Sequence, residues 1–343
     1  MKSDIASLFR SVSFAVAGLA IALTGCGGGG SSLPPNAVSG PSQPGYITEF
    51  ASPLLSRTSP MNIIKGPDGN LWFTEAGPAI GRISPSGVVT QFTQGFSQGS
   101  ATGDITVGPD GNLWFTDGGN DSIGRITPSG AVTEFSTGIS AHAWVAFITA
   151  GPDGNLWFTE QGGNRIGRIT PNGVVTEFST GISAQAGLTG ITAGPDGNLW
   201  FTELSGNRIG RITPNGVVTE FSTGISPNAG PLAITAGPDG NLWFTEVGVS
   251  AIGRITPSGS VTEFRSGIPT YASPTDIAAG SDGNLWFTEE NADQIGRITP
   301  TGLITNFSYT LPDNAGPFGI TPGPDGNMWF TMQGAAEIGN ITV

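Results

Sequence analysis

The ten residues GPDGNLWFTE start at Gly151 and recur unchanged at Gly194 and Gly237, with near copies at Gly66, Gly108, Gly280 and Gly323. The aspartates of the seven copies are residues 68, 110, 153, 196, 239, 282 and 325, so the period is 42 once and 43 five times. Self-similarity of this length restricts a chain to repeat architectures, in which each unit buries its faces against its neighbours. One unit spells out four strands: ITAG from Ile191 (strand A), NLWFTE from Asn198 (B), RIGRIT from Arg208 (C) and VVTEFS from Val217 (D). PDG separates A from B and PNG separates C from D. Asp-Gly and Asn-Gly tolerate the positive φ that tight hairpins require. Four short antiparallel strands at a period in the low forties are what a β-propeller blade needs.

The ends of the array predict how it closes. After the seventh GPDGN the chain supplies a strand B, MWFT, and a strand C, IGNITV, and then ends at Val343 without a strand D. YITEF at Tyr46 matches VVTEF, so the N-terminal strand is expected to complete the last blade. An open array would leave two unpaired sheet edges. The expected fold is therefore all-β, a seven-bladed β-propeller of four-stranded antiparallel blades over residues 45–343.

Composition agrees. The chain is 37% hydrophobic, and its eight Trp and nineteen Phe are spread along it, as many short buried strands require. Lys2 and Lys65 are the only lysines and the net charge is −13, which argues against a nucleic-acid partner. A monomer is expected. Residues 1–25 have a basic start and an apolar run, SVSFAVAGLAIAL, of signal-peptide length. They end in LTGC, which resembles a bacterial lipobox and marks Cys26 for lipidation. Cys26 is the single cysteine, so no intrachain disulfide forms. Residues 26–44 are a Gly/Ser/Pro tether. The expected location is the bacterial envelope, with contact to the membrane only through the lipid.

The repeated residues are expected to be structural. Leu199, Trp200 and Phe201 put apolar side chains on both faces of strand B, to be covered by neighbouring blades. A two-residue Asn172-Gly173 loop places Arg168 opposite Glu177, and likewise Arg125 opposite Glu134, Arg211 opposite Glu220 and Arg254 opposite Glu263, as cross-strand ties. In the closing blade the same count sets Glu49 against Asn340.

Function is expected elsewhere. PDG and PNG fall on one face of the disc, whereas the B–C and D–A connections, which differ between units, fall on the other. Strand B ends on an acid in six units, Glu75, Asp117, Glu160, Glu203, Glu246 and Glu289, with Met332 in the seventh. Six carboxylates about one axis would make a negative mouth, suited to Mg2+ or another divalent cation, with Glu246 and Glu289 as candidate metal ligands. The alternative is that each acid meets a local donor, as Arg165 for Glu160 and Arg208 for Glu203. One D–A loop, SAHAWVAF, holds His142, the only histidine, and Trp144, the only tryptophan outside the repeat. Trp144 either presents a binding hot spot with His142 or folds inward as a plug.

The pattern GPDGNLWFTE…NRIGRITP…GVVTEF resembles the streptogramin B lyases, the virginiamycin B lyase family, over Tyr46 to Val343. The resemblance implies a seven-bladed propeller and Mg2+-assisted, non-hydrolytic opening of a cyclic depsipeptide by elimination across an ester C–O bond. It also implies an acid/base His fourteen residues ahead of the acid that ends strand B, and a Glu two residues before a His of this kind. Here the His position holds Met61, Gly103, Ala146, Thr189, Leu232, Thr275 and Phe318, and the Glu position holds Ser59, Ala101, Trp144, Gly187, Gly230, Ser273 and Gly316. Only the acids match. Without a group that titrates near neutral pH, general acid–base catalysis by that route lacks its agent, and no GxSxG, HExxH, Walker loop or CxxC replaces it. The sequence thus favours a non-catalytic binding module for a protein, peptide or glycan. The alternative is a Mg2+-dependent lyase of the family's type.

Overall fold

The structure is a computed structural model that describes residues 44–52, 58–307 and 311–343. Cys26, the leader of residues 1–25 and all of the tether of residues 26–44 except Pro44 lie outside the described residues. The described chain forms seven four-stranded antiparallel sheets. In the fourth blade, strands A to D are Leu188–Ala193, Leu199–Glu203, Arg208–Ile212 and Val218–Phe221. Strand A starts three residues earlier than its ITAG core suggests, with a register shift between Leu188 and Ile191. In the seventh blade the order is Ile47–Phe50, Glu337–Ile341, Met328–Met332 and Pro317–Pro322. The N-terminal strand thus supplies the missing outer strand, pairing Ile47 with Ile341 and Phe50 with Ile338. Tyr46 extends the seam, its N–H donating to Thr342 Oγ1 at 3.0 Å and its carbonyl accepting from the Thr342 N–H at 3.0 Å.

The repeated letters make one repeated contact set. In the third blade, Asp153 Oδ1 accepts from Trp157 Nε1 at 3.0 Å, and Trp157 stacks on Phe178 of strand D with centroids 5.4 Å apart. The Arg168 guanidinium lies 5.5 Å from both ring centroids, within cation–π range. It donates to the Pro214 carbonyl of the next blade at 3.2 Å and stands 3.8 Å from Asp153 Oδ2. Every repeat Trp is fully buried between blades. In the closing blade Asn340 stands where the other six have Arg, while Phe50 still stacks on Trp329 at 5.0 Å. Strand-B threonines tie one blade to the next. Thr74 Oγ1 donates to the Gly103 carbonyl at 2.7 Å, Thr202 Oγ1 to Leu232 at 2.6 Å, and Thr331 Oγ1 to Met61 across the closure.

The cross-strand register differs from the expected one by a residue. Arg168 faces Thr176 and Gly167 faces Glu177, and the pattern repeats at Arg125, Arg211 and Arg254. Glu49 likewise faces Gly339, and Asn340 faces Thr48. The cause is loop length. The Thr170 N–H donates to the Val174 carbonyl at 3.0 Å, so Pro171, Asn172 and Gly173 form a three-residue loop, with Gly173 at φ 87. One extra loop residue shifts the pairing and moves the Arg to the other face of the sheet relative to the Glu.

Candidate functional site

The displaced glutamates serve as loop anchors. Glu177 accepts the Ser140 N–H at 2.5 Å and Ser140 Oγ at 2.6 Å, and Glu220 and Glu263 hold Ser183 and Ser226 in the same way. Each serine belongs to the preceding D–A loop, so strand D of one blade fixes the variable loop of its neighbour. Beside each anchor sits the acid that ends strand B.

These six acids, Glu75, Asp117, Glu160, Glu203, Glu246 and Glu289, are all 0% exposed, buried inside their blades. Glu160 is near Arg165 at 3.9 Å and Glu203 near Arg208 at 3.4 Å, the local donors that the sequence offered. Asp117 accepts from Ser100 Oγ, the Ala101 and Gly119 N–H groups and Asn120 Nδ2 at 2.7–3.1 Å. Gln91 donates to Glu75 at 2.5 Å, and Gln294 donates to Glu289. Neither carboxyl oxygen of Glu160 or Glu246 has a hydrogen-bond partner among the described residues. Burial, reinforced by Glu177 and opposed by Arg165, pushes Glu160 up to about 8. Burial with Glu220 and with Glu263 does the same for Glu203 and Glu246, each to about 8, and burial, opposed by the Gln294 hydrogen bond, carries Glu289 to about 7. At neutral pH burial therefore favours the protonated forms of Glu160, Glu203 and Glu246, while hydrogen bonds from Ser183 and Ser226 outweigh burial and hold the anchors Glu220 and Glu263 below the usual carboxylate range.

Among the described residues no three His, Cys, Asp or Glu side chains are grouped to hold a metal. The six acids are buried in six different blades, so they do not converge as the set of oxygen ligands that Mg2+ takes.

The central channel is lined instead by strand A of all seven blades, around a cavity of about 340 Å³. Two acids on its wall were not singled out from the sequence: Asp104 in the second blade and Asp276 in the sixth. Asp104 accepts the Ile105 N–H at 2.8 Å and the Ile148 N–H of the third blade at 2.9 Å. Asp276 accepts Ile277 N–H and, from the seventh blade, Ile320 N–H, both at 2.8 Å. Burial raises Asp104 to about 7, against its backbone hydrogen bonds and with a push from Asp276, and raises Asp276 to about 6. The available signal was a break in the repeat, since the same strand-A position is Asn62, Phe147, Gly190, Ala233 and Gly319 elsewhere. Asp104 and Asp276 directly follow Gly103 and Thr275, two of the positions where the resemblance implies a histidine.

The SAHAWVAF loop stands on the variable face. Trp144 is 47% exposed and His142 is exposed, so Trp144 does not plug the channel. Both adopt left-handed backbone, at φ 62 for His142 and φ 47 for Trp144, where the sister positions of Trp144 include Gly187, Gly230 and Gly316. Asp121 of the B–C loop clamps both, its two carboxylate oxygens each accepting one of their N–H groups at 2.7 Å. The Trp144 carbonyl accepts the Gln161 N–H at 3.0 Å. A bulky side chain in this region of φ is a strained outlier, and the residue that carries the strain stands about half in solvent.

A sequence profile of the virginiamycin B lyase family matches residues 35–265 and 182–343. A streptogramin B lyase structure is 36% identical, with a TM-score of 0.80 over 87% of this chain and 97% of that one. A catalytically inactive histidine-to-alanine variant of virginiamycin B lyase from Staphylococcus aureus, solved with quinupristin, is 37% identical at a TM-score of 0.80, over 87% of this chain and 99% of that one. The WD40 β-propeller domain of Doa1, 11% identical with a TM-score of 0.69 over 86% of this chain and 95% of that one, shares the fold alone. No curated protein matches the chain. The chain belongs to the virginiamycin B lyase family.

Proposed function

We propose that this member of the virginiamycin B lyase family is an envelope-anchored binding module that holds a protein, peptide or glycan on its variable face. The observation that carries the reading is the pairing of a strained, exposed Trp144 with seven histidine positions that hold no titratable side chain. The residues at those positions do backbone work: Gly103, Leu232 and Met61 supply the carbonyls that the strand-B threonines clasp. The lipidated Cys26 would keep the module at the membrane. Replacing it by Cys26→Ala is expected to move the protein from the membrane fraction to the soluble one, and unchanged fractionation removes the anchor. Incubation with a streptogramin B antibiotic and Mg2+ is expected to leave the ester intact. Turnover above a metal-only control overturns the non-catalytic reading.

One observation supports a second reading, that of a lyase working through carboxylates. Asp104 and Asp276, at about 7 and about 6, titrate where an acid/base group should, and they line the channel next to two of the vacated histidine positions. In that case any turnover is lost in Asp104→Asn and Asp276→Asn while Trp144→Gly retains it.

A further inference from the structure

Left-handed residues recur at one place in the D–A loops, and their side chains form a pattern. The position of His142 is taken by Gly99, Gln185, Asn228, Tyr271 and Asn314 in the other described loops, all with φ between 58 and 88 and all exposed. The equivalent position of the first blade is Arg57, which lies outside the described residues. These loops follow one another around the disc, so the side chains form a crown on the variable face. Tyr271 is 83% exposed, and Trp144 stands two residues beyond His142.

The backbone of four of the six described crown loops is fixed by a residue of the neighbouring B–C loop. Asp293 clamps the Asn314 and Gly316 N–H groups at 2.9 Å, as Asp121 does at His142 and Trp144. Asn164 accepts from Ala186 N–H at 2.9 Å and Asn207 from Gly230 N–H at 3.1 Å. The B–C loop residues that act as clamps are themselves left-handed, at φ 48–55. Those crown side chains thus stand on clamped backbone, so less loop-ordering cost remains on binding.

Resting on the binding reading above, we propose that the crown recognises a neutral glycan. None of the described crown positions carries a Lys, an Arg or a carboxylate. Phosphate, sulfate and charged peptide ends are normally captured by charged groups, which the side chains at the described crown positions do not supply. They offer instead side-chain amides from Gln185, Asn228 and Asn314, each both donor and acceptor, and flat rings from Trp144 and Tyr271. A sugar ring has the matching chemistry: a rim of hydroxyls that donate and accept, and an apolar C–H face that packs on an aromatic ring. The two aromatics sit on the loops between the second and third blades and between the fifth and sixth, well apart around the crown, which suits an oligosaccharide better than a single sugar.

The test uses the purified full chain and intrinsic tryptophan fluorescence, with calorimetry as a second readout. The probes are cello-, chito-, xylo- and malto-oligosaccharides at millimolar concentration, with a neutral synthetic peptide of similar length alongside. The variants Trp144→Gly and Tyr271→Asn install residues that sister loops already carry, so folding is not at risk, and Val217→Ala on the opposite face is the control. The expected result is saturable binding of at least one saccharide family, weakened about tenfold or more by either loop variant and unchanged in the control. Saccharide binding that neither variant weakens overturns the crown. Peptide binding lost in Trp144→Gly, without saccharide binding, overturns the glycan while leaving the variable-face reading in place. No binding of any probe overturns the glycan proposal.

Discussion

Both faces of the disc carry a circle of carboxyls, and the two circles differ in charge state. On the face of the PDG turns, burial works against ionisation of Asp153, but its bonds from Asn155 and Trp157 outweigh that and hold it below the usual range. Asp68, Asp110, Asp196 and Asp239 behave alike. Toward the variable face, Glu160, Glu203 and Glu246 are pushed to about 8, because burial finds too few donors to offset it. The first circle faces tryptophan N–H groups and arginines fixed by the repeat. The second faces other carboxyls. The same burial thus leaves a uniform circle of acids held below their usual range on one face, and on the other a circle pushed above it beneath loops whose side chains vary.

The largest test of that contrast removes what both faces share. Deleting Tyr46–Phe50 strips strand D and the Phe50–Trp329 stack from the seventh blade and opens two sheet edges. A large fall in melting temperature with aggregation is expected by scanning calorimetry and light scattering, and a stable truncated ring would refute the closure. Next, on the uniform face, Trp200→Ala removes a fully buried indole and its bond to Asp196, which should cost about 3–5 kcal/mol in denaturant titration.

The pH dependence separates the circles further. Glu160, Glu203 and Glu246 give up their protons near 4.5 when unfolded but hold them to about 8 when folded. Between those values the folded protein binds more protons, so their contribution is complete below 4.5 and is lost as pH rises through 8. The aspartates of the PDG turns have the opposite sign, with a contribution present above 3.8 and lost on acidification below it. A melting temperature that falls by roughly 10 °C between pH 6 and pH 9 is expected, and a profile flattened over that range in the Glu160→Gln, Glu203→Gln, Glu246→Gln triple variant. An unflattened profile would move the titration elsewhere. The smallest effect is expected at the variable loop itself. Trp144→Gly relieves left-handed strain of about 1–2 kcal/mol and should leave the melting temperature unchanged or slightly higher. A loss of several degrees would make Trp144 a packing residue.

The sequence by itself determined the seven blades, their four strands and the closure, because all three follow from period and pattern: Asp-Gly turns every 42 or 43 residues, apolar runs at strand B, and a stray strand D at Tyr46. It also marked the lyase resemblance and the vacated histidine positions, since those are matters of letters at fixed spacing. Tertiary structure decided what those letters do. A three-residue rather than two-residue loop at Pro171–Gly173 turned the expected Arg168–Glu177 tie into two separate contacts, one to Asp153 and one to Ser140. It also buried the strand-B acids, set Asp104 of the second blade and Asp276 of the sixth on the wall of one channel, and left Trp144 half in solvent. A side chain's charge state and exposure depend on desolvation and on partners brought together from different blades, and neither is written in local periodicity.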